Sequence, residues 1–307
     1  MRIIDFKSIL TAAVFAATVI ACSFIPGFAA GASESSGHPE WSYNSVVYEM
    51  NVRQYTPEGT FEAAAEELPR LKKLGVDVIW LMPVYPIGVE ERKGTLGSYY
   101  AISDYCAINP EFGTMQDFED FLDRAHGYGF KVILDWVANH TSPDAVWESG
   151  RPADWYVRDS LGNTVTQYDW TDIAELNYDN HDMRREMRSS MRFWLDKGVD
   201  GFRCDMACEV PLDFWKETLP ELRKEYPGTY FLAEGEVPEL HQNAFDASYA
   251  WELHHLLNAI AQGKKTVSDL KSYMAKDASS YPKDAFRLMF TSNHDENSWA
   301  GTEFERM

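Results

Sequence analysis

Four short stretches of the chain end in side chains able to attack, protonate or orient. Lys131-Val-Ile-Leu-Asp135 runs on into Asn139 and His140, and Gly201-Phe202-Arg203-Cys204-Asp205 closes on a carboxylate two places after a guanidinium. Tyr230-Phe-Leu-Ala-Glu234 ends in a glutamate, and Phe290-Thr-Ser-Asn293 is followed by His294 and Asp295. If the second stretch is a β-strand, Arg203 and Asp205 share a face. The guanidinium then orients Asp205 and depresses its pKa, which suits a nucleophile. Glu234 follows three apolar residues, where desolvation raises the pKa of a carboxylic acid and suits it to donate a proton. Two carboxylates tuned apart, one attacking an anomeric carbon while the other protonates the departing oxygen, are what glycoside cleavage requires. Glu236 shares the strand parity of Glu234 and competes for the proton-donor role, although Glu234 directly follows the apolar run. Any single strand-end Asp is as readily a helix cap; the inference rests on the set.

Such residues converge only if the fold brings several strand ends to one place. Short apolar and β-branched runs at 46–49, 78–82, 132–135, 201–205, 230–234, 247–249 and 288–292 predict seven strands buried on both faces. Helical patterns at 61–74, 115–128 and 183–197 lie between them, each stopped by a glycine (Gly75, Gly129, Gly198), with Thr114 as the cap of the second. Repeated βα units predict an α/β protein with a parallel sheet, and a parallel barrel gathers its strand C-termini at one mouth. The polar, Trp- and Asp-rich stretch 141–180 is too long for a βα connection and reads as a small inserted subdomain or lid.

The 307 residues carry 28 Lys+Arg against 48 Asp+Glu, a formal charge of −20. That balance excludes nucleic acid and anionic membranes as partners, since both demand clustered cations, and fits a neutral substrate. With 45% hydrophobic and 25% charged residues the chain is globular; 10 Trp and 16 Tyr serve either a groove lined with rings or a Trp-rich core. Near the start, Arg2 and Lys7 precede an uncharged run at 9–25 and a small-residue exit at Ala30-Gly31-Ala32. This predicts an export signal over 1–32, a secreted or periplasmic protein, and no transmembrane span in the mature form. Ala21-Cys22 is a competing, loosely lipoprotein-like cut that would anchor the chain at Cys22. Cys106, Cys204 and Cys208 have no metal-site spacing, and the last two read as packing residues.

From about residue 41 onward the chain resembles the catalytic barrel of the α-amylase superfamily of glycoside hydrolases. The motifs that carry the resemblance occur in the family's order: Asp135-Trp-Val-Ala-Asn139-His140, Gly201-Phe202-Arg203-Cys204-Asp205, Leu232-Ala233-Glu234 and Asn293-His294-Asp295, with Tyr100-Ala-Ile-Ser-Asp104-Tyr105 and Phe112-Gly113-Thr114 upstream. The resemblance implies a (β/α)8 TIM barrel acting on α-glucans as a monomer, through a covalent glycosyl-enzyme intermediate. It makes Asp205 the nucleophile, Glu234 the acid/base and Asp295 the stabiliser of the transition state. Arg203 would orient Asp205; His140, His294 and Tyr100 would hold the sugar, with Asp135 beside them. Asn139 would bind a structural calcium with groups from the insertion, which offers Asp144, Asp154, Asp159, Asp169 and Asp172. Two rival readings stay open: an α-glucan transglycosylase, and a carbohydrate-binding barrel without catalysis.

Two departures qualify the resemblance. Where many starch-degrading members carry Lys-His after the nucleophile, this chain has Cys208 and Glu209, which bears on leaving-side binding. Seven strands are counted where the family has eight, so the chain is expected to be a fragment divided as 33–140 (first part of the barrel), 141–180 (insertion) and 181–307 (rest of the barrel).

Overall fold

The computed structural model describes residues 37–306; the expected export segment and Cys22 lie outside them. Seven strands form one parallel sheet: β1 (Val47–Met50), β2 (Val78–Leu81), β3 (Lys131–Trp136), β4 (Gly201–Cys204), β5 (Tyr230–Ala233), β6 (Ala247–Tyr249) and β7 (Phe286–Leu288). Their order in the sheet is their order in the chain, which curls the sheet progressively into a barrel wall; a doubly wound sheet would reverse direction at a switch point. The register runs through Val47↔Val78↔Lys131, Ile133↔Gly201↔Tyr230 and Leu232↔Ala247↔Phe286. Gly201 is required here: a Cβ would lie 2.1 Å from the Tyr230 carbonyl oxygen.

Pleating divides the core in two. Ile79, Leu81, Val132, Leu134, Phe202, Phe231 and Ala233 pack outward with the helices, whereas Val78, Trp80, Ile133, Tyr230, Leu232, Ala247 and Tyr249 fill the inside of the wall. The helices obey local rules. Met115–Gly127 is opened by a capping box between Thr114 and Asp117, and His181–Asp196 by the Asn180 side chain, two residues earlier than the apolar pattern alone indicates. The pattern at 61–74 is two helices, Phe61–Glu66 and Leu68–Leu74, because Pro69 lacks the N–H that would continue the first through Glu67.

The last strand also differs from expectation. It occupies Phe286–Leu288 and leaves 289–293 irregular, because its partner β6 ends at Tyr249 and helix Trp251–Ala261 begins just beyond. Between β3 and the helix at His181, an antiparallel pair (His140–Thr141 with Ala174–Glu175), the helix Val146–Gly150 and the turn Ala153–Trp155 place Trp147, Trp155 and Tyr156 in the same core cluster as the outer barrel face. Cys204 is buried, but Cys208 is exposed, so only the first packs as expected.

Candidate active site

The inner parity that makes Val47, Ile133 and Leu232 core residues carries Glu49, Asp135 and Glu234 into the barrel mouth, and the parity of Gly201 does the same for Arg203 and Asp205. Arg203 is the hub. Its buried Nη1 donates to Asp135 Oδ1 at 2.9 Å and to Asp205 Oδ1 at 2.8 Å, and Nη2 pairs with Glu234 Oε2 at 2.9 Å. Nε donates to the Tyr249 hydroxyl at 3.2 Å, and the guanidinium lies 5.0 Å over the Trp80 ring. Next to Asp205, Met206 holds a left-handed φ of 42° and donates its N–H to Glu234 Oε2 at 2.8 Å. That conformation costs a non-glycine residue about 1 kcal/mol, strain kept where it aims a donor at the carboxylate.

Three carboxylates around one guanidinium cannot all ionise cheaply. Burial, with the charges of Glu234 and Asp135 added, pushes the Asp205 carboxyl well above the carboxylate range in spite of Arg203. The depressed value expected from the sequence is therefore corrected: desolvation and two like-charged neighbours outweigh one cation. Burial also lifts Asp135 to about 6 against the pull of Arg203. A proton retained here belongs to the cluster as a whole.

Asp295 belongs to a second arrangement. It lies on the short helix His294–Trp299, capped by Asn293, and burial raises its carboxyl. His294 Nδ1 donates to Glu49 Oε1 at 2.5 Å, its backbone N–H donates to Glu49 Oε2 at 3.2 Å, and Nε2 lies 3.4 Å from Asp295 Oδ1. The Tyr100 hydroxyl donates to Asp135 Oδ2 at 3.1 Å and lies 2.9 Å from His294 Nε2, with the two rings stacked at 5.5 Å. The contacts at both ring nitrogens suit an imidazolium, and although burial opposes it, the Glu49 contact raises His294 overall.

His140 behaves oppositely. Burial lowers it to about 4, and Asn139 Nδ2 donates to its Nδ1 at 3.1 Å, which leaves the ring's hydrogen on Nε2. The same Asn139 amide donates to Gln167 at 2.6 Å. Three of the five acids expected near Asn139 have other partners: Asp144 accepts the Val89 and Glu90 N–H groups, Asp159 closes its own turn to Leu161 and Asn163, and Asp172 pairs with Lys93 at 3.3 Å. Among the described residues, no gathered set of metal-ligating side chains includes any of them. No step below passes through a calcium ion.

A cleft of about 460 Å³ joins these groups: Asp205, Glu234, Asp295, His140, His294 and Tyr100 all line it. Asp135 and Arg203 lie beneath, fully buried. Glu236 is not among the lining residues; it accepts from Arg287 Nη2 at 2.6 Å and from the Glu252 N–H at 3.0 Å. Sequence reading missed Glu49, Trp80 and Tyr249, which buttress the site, and Lys93, Trp170 and Trp299, which line the cleft together with Asp172, a residue expected only among the calcium groups. Strand parity was signal enough for Glu49; the others carry no motif. On the rim, exposed Glu209 accepts from the Tyr168 hydroxyl at 3.1 Å.

Comparison with known proteins places the chain. The chain is 32% identical over 274 residues to the α-amylase MalA of Haloarcula japonica, covering 85% of this chain and 40% of that protein. It is 33% identical over 225 residues to an oligo-1,6-glucosidase of Bacillus cereus, covering 62% and 39%. The crystal structure of an α-amylase from Lactobacillus plantarum superposes with a TM-score of 0.78 at 38% identity, over 82% of this chain and 63% of that one. The chain thus spans well under two thirds of the length of these curated relatives. The family model described as the α-amylase catalytic domain matches residues 27–170 and 151–305, and the chain belongs to that family.

Proposed function

We propose that the protein hydrolyses α-1,4-glucosidic bonds in starch, glycogen or maltooligosaccharides with retention of configuration. The observation that carries this reading is the single guanidinium of Arg203 holding Asp205 by one nitrogen and Glu234 by the other, at the wall of a cleft that Asp295 also lines. The recorded contacts on Glu234 fall on Oε2, leaving Oε1 to carry the cluster's proton to the glycosidic oxygen. Arg203 holds Asp205 by Oδ1, leaving Oδ2 to attack the anomeric carbon and form the glycosyl ester. The leaving sugar departs with the proton; Glu234 then takes a proton from water, which releases the second sugar and restores both acids. Tyr100 supplies a ring face, the Nε2–H of His140 and the His294 imidazolium donate to sugar hydroxyls, and Asp295 pairs with hydroxyls of the ring as positive charge develops on it.

Proton NMR of the first products from maltooligosaccharides tests the stereochemistry. A fluorinated glucosyl fluoride, which forms the ester but hydrolyses slowly, tests the nucleophile. Products released as the α-anomer and a mass increase on the peptide containing Asp205 are expected. The β-anomer from an active enzyme would overturn retention, and label on another carboxylate would overturn the assignment.

A further inference from the structure

Behind the helix that carries Asp295, three side chains outside the mechanism converge. Glu296 is buried against helix Trp251–Ala261; its Oε2 is 3.1 Å from His254 Nε2 and its Oε1 is 3.8 Å from His255 Nε2. The ligand atoms of the three all fall within 4.8 Å of one another. The Phe290 carbonyl, 3.1 Å from His254 Nδ1, can only accept, so Nδ1 carries a hydrogen and Nε2 is the ring nitrogen placed to ligate a cation. An imidazole nitrogen and a carboxylate oxygen 3.1 Å apart need positive charge between them, which a proton on Nε2 or a bridging cation supplies. Of the other neighbours, Asn258 Nδ2 lies 3.1 Å from His254 Nε2, and Arg306 Nη1 stands 3.9 Å from Glu296 Oε2. A tetrahedral cation with bonds of about 2.0–2.2 Å sets its donors roughly 3.3 Å apart, the scale of the two observed contacts.

We propose that His254, His255 and Glu296 bind a divalent cation of the zinc class. Two imidazoles and a carboxylate without thiolate or further hard oxygens suit zinc better than magnesium or calcium. Water completes the shell, or Asn258 does so after a half-turn of its amide that presents Oδ1. Because Glu296 follows Asp295 on one short helix, the cation fastens the element bearing His294 and Asp295 to helix Trp251–Ala261.

Calorimetric titration of the untagged full chain with Zn²⁺ tests this, beside the variants His255→Ala and Glu296→Gln. His255 is exposed, so its replacement leaves the packing intact. The wild type is expected to bind one ion per chain, His255→Ala to bind about tenfold or more weakly, and Glu296→Gln more weakly still. Saturating Zn²⁺ should raise the Tm of the wild type but not that of His255→Ala. His181→Ala, which removes an exposed histidine elsewhere, should bind as the wild type does. Absence of saturable binding to wild-type protein shown folded by circular dichroism, or undiminished affinity in His255→Ala, would overturn the proposal. If Glu296→Gln proves unstable, the His255→Ala result decides alone.

Discussion

Asp205 and Glu234 extend from strands β4 and β5, buried along their whole length and paired on both edges, whereas Asp295 follows a three-residue strand paired on one edge among the described residues and the irregular stretch 289–293. On the first wall the backbone ladder sets the side chains to within a fraction of an ångström before any substrate arrives. On the second, position depends on a few side-chain contacts, chief among them Glu49 with His294. The first wall is preorganised at the cost of crowding like charges, and the second is electrostatically relaxed but less firmly held.

The largest expected effect is on the crowded wall. Asp205→Asn should reduce turnover about 10³-fold or more while raising the Tm. The raised carboxyl means that the folded state binds this proton more tightly than the unfolded chain does. Stability is therefore lost as the pH climbs from the ordinary 3.8 through the raised value. The amide removes that loss and still accepts from Arg203. Thermal melts should show the variant above the wild type near about pH 7, the gap closing toward about pH 4. A lower Tm at every pH would mean that the Arg203 pairing outweighs the crowding, and the contrast between the walls would fail.

Next in size is the comparison of two glutamates of equal strand parity. Glu234→Gln should lower kcat by about 10²–10⁴-fold, the usual worth of a general acid. Glu236→Gln should leave kcat nearly unchanged and lower the Tm instead, because it weakens the pairing of the largely buried Arg287 side chain. The reverse ranking would transfer the acid role to Glu236 and detach it from the Arg203 hub.

The same contrast governs how much the sequence revealed. Strands β2 to β5 were read within about a residue of their observed ends because continuous apolar runs leave few alternatives for a strand covered on both faces. The seventh was displaced, because the extent of an edge strand depends on where its neighbour stops, and a local pattern does not encode the end of β6 at Tyr249. Likewise, the residues Asp135, Arg203, Asp205 and Glu234 announced themselves by type and parity, but the upward shift of the Asp205 carboxyl did not. Reading Arg203 beside it suggested a depressed pKa; only three-dimensional packing adds Glu234 and Asp135 at the same guanidinium. Trp170 and Asp172 came from an insertion whose course over the mouth has no periodicity to read.

The second wall gives the smallest and most discriminating effect. His294 is raised above its ordinary 6.5, burial opposing and Glu49 prevailing, so their pairing contributes stability fully present below 6.5 and lost as the pH rises through the raised value. Glu49→Gln keeps the shape of the contact and removes its charge. The Tm difference between wild type and variant should be greatest near about pH 5.5 and shrink by about pH 9, where the imidazole is neutral in both. Activity at about pH 7 should fall roughly tenfold, as is usual when the group that orients a site residue is lost, with part of the loss in KM because His294 also contacts bound sugar in the proposed mechanism. A Tm difference independent of pH would show that Glu49 acts only by filling space, and that the wall bearing Asp295 is held by the sheet as firmly as the wall bearing Asp205.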